Sequence, residues 1–162
     1  MQYKIFVSYS TLDIGPLEQL KQQLDGTGME VFIAEHSINP GEDLKEKISA
    51  EIETCDLFVV LWSKNAEASE WVSQEVGRAG ALNKNILPII LTEGLSLPGF
   101  IRNLKYIPVY ENPKYHNAQA REIILKSYQK KREHLAQAEE KKGNETLAIM
   151  GIGAFLLWAM TK

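Results

Sequence analysis

Short apolar runs alternate along the first 125 residues with stretches in which apolar positions recur every three or four places. Residues 4–9, Lys4-Ile5-Phe6-Val7-Ser8-Tyr9, are rich in β-branched and aromatic side chains and read as a strand. Leu12, Leu17, Leu20 and Leu24 follow at near-helical spacing, and the Gly26 to Gly28 stretch ends that helix. Residues 29–33 form a second short strand. A loop over 34–42 is then set by the turn chemistry of Asn39-Pro40-Gly41. Leu44, Ile48 and Ile52 predict the next helix. Leu57–Trp62 is apolar throughout, as a strand covered on both faces must be. The spacing predicts a helix over 69–83, strands over 86–91 and 106–110, and a longer helix from about Asn117 with Ala120, Ile124 and Tyr128 on one face.

Strands that alternate with helices and stay apolar through their middles predict a parallel sheet covered on both sides. Five such units predict an α/β, flavodoxin-like, doubly wound five-stranded parallel sheet, followed by a charged helix and a short C-terminal hydrophobic helix. No internal repeat and no low-complexity segment interrupts the pattern. Ligands of such sheets bind beyond the carboxyl ends of the strands. Three segments fall at those ends: Ser8-Tyr9-Ser10, the loop from Ala34, and the start of the helix over 69–83.

Charge separates the chain into parts. Residues 1–125 hold eleven Lys/Arg against seventeen Asp/Glu, a balance of minus six, whereas residues 126–142 hold six against three. An acidic globular part argues against nucleic acid as a partner, because duplex binding needs a basic face. The expected organisation is a globular domain over 1–125, a charged helical tether over 126–145 and a hydrophobic helix over 146–162. Residues 147–160 are fourteen consecutive apolar or glycine positions. With the flanking threonines this run reaches roughly 24 Å at 1.5 Å per residue, short of the ~30 Å hydrocarbon core. It is nonetheless apolar all round, carries Trp158 near its end and follows Lys141 and Lys142, and these features favour a membrane anchor over an oligomerisation helix. The domain itself is then expected in the cytoplasm. No secretory signal is read at Met1-Gln2-Tyr3-Lys4-Ile5, which leads straight into a strand. One cysteine, Cys55, excludes an internal disulfide and reads as a buried thiol. His36, His116 and His134 stand too far apart for a local metal site, so no metal is expected.

The sharpest chemical signal is Ser69-Glu70-Trp71-Val72-Ser73-Gln74-Glu75. Residues four apart on a helix lie one above the other, so an indole stands beside a carboxylate. That pair offers a flat wall for a cationic ring and a negative charge for a developing cation. Taken alone it is more often an exposed Glu next to a half-buried Trp, and Arg78 is close enough in sequence to pair with Glu75.

Phe6-Val7-Ser8-Tyr9-Ser10, the strand Val31-Phe32-Ile33 with its loop ending Asn39-Pro40-Gly41-Glu42, the Trp71–Glu75 helix and Asn85-Ile86-Leu87-Pro88-Ile89-Ile90 occur in order. Together they resemble the first box, the second strand and BB loop, the Ser/Trp/Glu helix and the fourth strand of the Toll/interleukin-1 receptor (TIR) domain, over roughly residues 3–135. A receiver domain shares the fold but needs an acidic pair where Ser8, Tyr9 and Ser10 stand.

The resemblance implies an enzyme that cleaves NAD at the nicotinamide–ribose bond, with NAD as substrate and no cofactor. By resemblance Glu75 is the catalytic carboxylate and Trp71 walls the nicotinamide. Ser10 and Thr11 match nucleotide contacts, and His36 falls near the BB-loop contact, where Ala34 replaces an often acidic residue. The product is ADP-ribose or a cyclic isomer. The resemblance further implies activation by self-association, in the setting of microbial antiviral defence. The competing reading is a non-catalytic adaptor or interaction module. No Gly-x-Gly-x-x-Gly motif is present, so the dinucleotide rests on the resemblance alone.

Overall fold

The computed structural model describes residues 2–33 and 43–160, with only the backbone described at Phe100 and over 143–160. Strands β1 (Lys4–Ser8), β2 (Glu30–Ile33), β3 (Leu57–Trp62), β4 (Ile86–Ile90) and β5 (Ile107–Pro108) form one parallel sheet in the order β2-β1-β3-β4-β5. This is the doubly wound arrangement that the alternation predicts. All six residues of β3 are buried, because β3 lies at the centre of the sheet with covering layers above and below.

Alternation along β1 sends Ile5 and Val7 to one face and Phe6 and Ser8 to the other. Helices α2 (Leu44–Thr54) and α4 (Glu70–Ala81) cover the face that carries Phe6. There Phe6 stacks between Phe32 and Phe58, with ring centroids 5.4 and 5.3 Å apart, over a layer that includes Ile48, Ile52, Val72 and Val76. Phe6 and Phe58 are fully enclosed. Each contributes about 3 kcal/mol relative to an exposed ring.

Helix α1 (Ile14–Leu24) buries Leu17, Leu20 and Leu24 as its spacing predicts, but Leu12 stands outside it and is 77% exposed. The helix begins two residues later than the leucine spacing indicates because Asp13 occupies its N-cap position, within a turn closed by a hydrogen bond from the Asp13 amide to the Ser10 carbonyl. Past its end, Gly26 and Gly28 take φ of +70° and +75°, where a side chain would be strained.

Helix α4 is capped by Ser69, whose Oγ accepts a bond from the Val72 amide at 3.3 Å. Glu70 lies in its first turn, where a negative charge complements the helix dipole; that gives this carboxylate a structural role. A four-residue helix, α3 (Lys64–Glu67), precedes it. Four residues are too few to leave a periodic signature, although Ser63 caps α3 through the Ala66 amide.

Helix α5 (Pro113–Met160) starts four residues before the predicted point. The Asn112 side chain accepts from the Tyr115 amide, and Pro113 takes the first helical position, where its missing N–H costs nothing. Contacts divide the chain into two units, Met1–Ile124 and Leu125–Lys162. Within the first, the opening of α5 is tied to α1 by a bond from Arg121 to the Gln23 carbonyl. Within the second, the Arg132 guanidinium lies 5.8 Å over the Tyr128 ring. Among the described residues no helix is long and apolar enough to cross a membrane. The anchor expected of residues 146–162 is therefore unsupported: the apolar run falls short of the bilayer core and continues a helix whose sequence is charged up to Glu145.

Candidate active site

The inward stripe of α4 is Val72, Glu75, Val76 and Ala79, so an acidic residue occupies a place that the helical period assigns to an apolar one. Glu75 is only 8% exposed. Its Oε2 accepts a hydrogen bond from the Ser8 hydroxyl at 2.5 Å, across the 67 residues that separate β1 from α4. Among the described residues Ser8, and not Arg78, is its bonded partner. Burial pushes the Glu75 carboxyl up to about 7, and the Ser8 bond pulls in the opposite direction. Near neutral pH the group is thus divided between acid and carboxylate, a state in which it can exchange protons and respond to a cation beside it.

A cleft of about 260 Å³ lies between α2 and α4, with Lys45, Ile48, Ser49 and Ile52 on one wall and Trp71, Gln74, Glu75 and Arg78 on the other. Trp71 and Glu75 are therefore brought together, one helical turn apart on the same wall. Trp71 keeps 46% of its surface exposed, so the indole presents an uncovered face. A second cleft, of about 220 Å³, between α1 and the opening of α5 holds no carboxylate among its lining residues.

Ser10 and Thr11 lie past the carboxyl end of β1. Ser10 is buried and its Oγ accepts from the Leu12 amide at 3.4 Å, whereas Thr11 is exposed. Among the described residues no hydrogen bond joins either to Glu75. His36 and the Asn39-Pro40-Gly41 turn lie outside the described residues.

Two features of this edge escaped the sequence. The first is the bond made by Ser8, which the sequence places at the crevice edge but gives no partner until Glu75 is set against it. The second is Asp13, a buried side chain whose Oδ1 accepts from the Asn65 amide group at 2.9 Å and whose Oδ2 accepts from the Ser63 hydroxyl at 2.5 Å. It ties the turn after β1 to the end of β3. The run Ser10-Thr11-Leu12-Asp13 ahead of a helix was the available signal. Cys55 is buried, with Sγ 3.2 Å from the Ile52 carbonyl, and burial pushes its thiol up, away from the reactive thiolate form.

The TIR domain family model matches residues 5–124. The fold is similar to the TIR domain of the Toll-related receptor TRR-2 from Hydra magnipapillata. That match has 20% identity and a TM-score of 0.57 over 73% of this chain and 99% of that one. It is also similar to a CMP N-glycosidase, BcmB, of Clostridium botulinum, with 21% identity and a TM-score of 0.52 over 72% and 98% of the two chains. The TIR domains of the activated Roq1 resistosome match at 20% identity and a TM-score of 0.50, over 55% of this chain and 57% of that one. At such identities the likeness is one of fold. No curated protein sequence matches the chain.

Proposed function

The chain belongs to the TIR domain family, and from that premise we propose that it is an NAD nucleosidase in which Glu75 drives release of nicotinamide. The observation that carries this reading is the buried Glu75 carboxyl, held by Ser8 and set in the cleft one turn from the open face of Trp71. In the reaction the C1′–N bond breaks and its electron pair leaves with the ring, which turns the cationic pyridinium into neutral nicotinamide. The ribose is left as an oxocarbenium-like cation, similar to that of glycoside hydrolysis. The ionised carboxyl of Glu75 stabilises that charge, and the Trp71 indole supports the departing ring. Nicotinamide leaves readily, so no second carboxylate is needed as a general acid. Water then captures C1′ to give ADP-ribose and a proton; capture by a hydroxyl or the adenine gives a cyclic isomer.

The cleft of about 260 Å³ lies below the ~300–1,000 Å³ common for small-molecule sites. It suits the nicotinamide riboside end of the dinucleotide, with the remainder passing over Ser10 and Thr11, and with His36 as a further contact. The exposure of Trp71 supports completion of the site by a second copy, so self-association is the activating step. NAD depletion or a cyclic nucleotide signal in antiviral defence would be the consequence.

The test is nicotinamide release from NAD by the purified chain beside Glu75→Ala. Release is expected from the wild type and not from the variant; undiminished release by the variant overturns the assignment. Activity per molecule is also expected to rise with protein concentration. A flat concentration series, measured from dilute to crowded solution, removes self-association as the activating step.

A further inference from the structure

On the reading that Glu75 is the catalytic carboxylate, we propose that Ser8 is its positioning residue: the hydroxyl holds Oε2, leaves Oε1 to face the cleft and favours the ionised form of the carboxyl over the acid. Ser8 is 1% exposed and, by the alternation of β1, shares with Phe6 the face that α2 and α4 cover. A hydroxyl placed there has no water to turn to, and the partner it has is Glu75.

The donor is also fixed in place. Ser8 pairs with Val60 in the β1–β3 ladder, so its Cα cannot shift without breaking the sheet. The hydroxyl lies 2.5 Å from Oε2, and its bond to the ionised carboxyl is roughly twice as strong as one to the neutral acid. A rigid donor of this kind fixes both the rotamer and the charge of the side chain it holds.

Among the described residues no cation takes over this role. Lys45 from α2 and Arg78 from α4 line the same cleft, yet neither offsets the burial of Glu75; the Ser8 bond is what does so. Without the hydroxyl, the acid form would gain and the carboxyl would be free to turn.

The experiment follows the Glu75 side-chain carboxyl by ¹³C NMR in the full chain, assigned by its loss in Glu75→Gln, beside the pH profile of nicotinamide release. Wild type is expected to titrate at about 7. In Ser8→Ala the midpoint should rise by about one pH unit or more, since a bond to a charged group is lost. The ionised fraction at pH 7 then drops from about one half to about one tenth, so kcat falls about fivefold there and recovers by about pH 9, with KM little changed. Ser8→Cys keeps most of the volume with a weaker donor and should give a smaller rise; it carries the test if Ser8→Ala does not fold. An unmoved midpoint in the folded variant overturns the proposal. If the midpoint moves but wild type releases no nicotinamide at any pH, the hold of Ser8 on Glu75 stands and the proposed function fails.

Discussion

Glu75→Gln is expected to raise the thermal midpoint by roughly 5 °C or more at about pH 8.5 and by almost nothing at about pH 3.5, while lowering nicotinamide release by roughly 10²–10³-fold. The sign follows from the direction of the shift. Burial moves the Glu75 carboxyl from an ordinary value of 4.5 up to about 7 in the folded chain. The native state therefore binds the proton more tightly than the unfolded one. Ionising the group costs stability progressively as pH rises from about 4.5 through 7, the reverse of a salt-bridged carboxylate. At 1.36 kcal/mol per unit the full cost above pH 7 is about 3 kcal/mol, some of which Gln regains by accepting the Ser8 bond in neutral form. Thermal melts of both proteins at the two pH values decide the matter. An equal gain at both, or a loss at the higher pH, would show that Glu75 is not held at the expense of the fold. A residue that weakens the domain where it is ionised, in a place where the helix pattern calls for an apolar side chain, fits the proposed chemistry better than it fits packing.

The five strands were legible because a parallel sheet leaves an unmistakable record: Leu57–Trp62 has no polar residue to blur it, and β1, β2 and β4 start and stop within a residue of their predicted bounds. Elements were misplaced where capping rather than periodicity decides. Leu12 keeps the leucine spacing of α1 but precedes its N-cap, and α5 begins at Pro113 through the Asn112 cap, ahead of its apolar face. The site was legible in part. Trp71 and Glu75 share one helix, so a local rule brings them together. The Ser8–Glu75 bond joins residues 67 positions apart, and Asp13 reaches Ser63 across 50; no spacing rule covers those distances. They become visible only once the order β2-β1-β3 puts the carboxyl ends of β1 and β3 side by side.

Asp13→Ala is expected to cost about 3 kcal/mol, a fall in thermal midpoint of roughly 6–12 °C, and to raise KM for the dinucleotide more than it lowers kcat. The stability loss comes from two sides of one carboxylate. Its oxygens accept from Ser63 and Asn65, and its removal leaves the buried Ser63 hydroxyl without that acceptor while α3 still draws on the same oxygen for its cap. The kinetic asymmetry comes from position. The Asp13 side chain anchors the turn that carries Ser10 and Thr11 to Ser63 and Asn65, and among the described residues no hydrogen bond joins it to Glu75. On the proposed reading that Ser10 and Thr11 contact the nucleotide, loosening that turn weakens binding without altering the charge at C1′, so KM rises before kcat falls. Asp13→Asn keeps the shape and one acceptor, and should recover part of both losses. Steady-state kinetics on Asp13→Ala under conditions where it is folded separate the two roles. A fall in kcat with KM unchanged would mean that the turn serves the reacting bond directly, and Ser10 and Thr11 would then have to be moved from the nucleotide to the ribose.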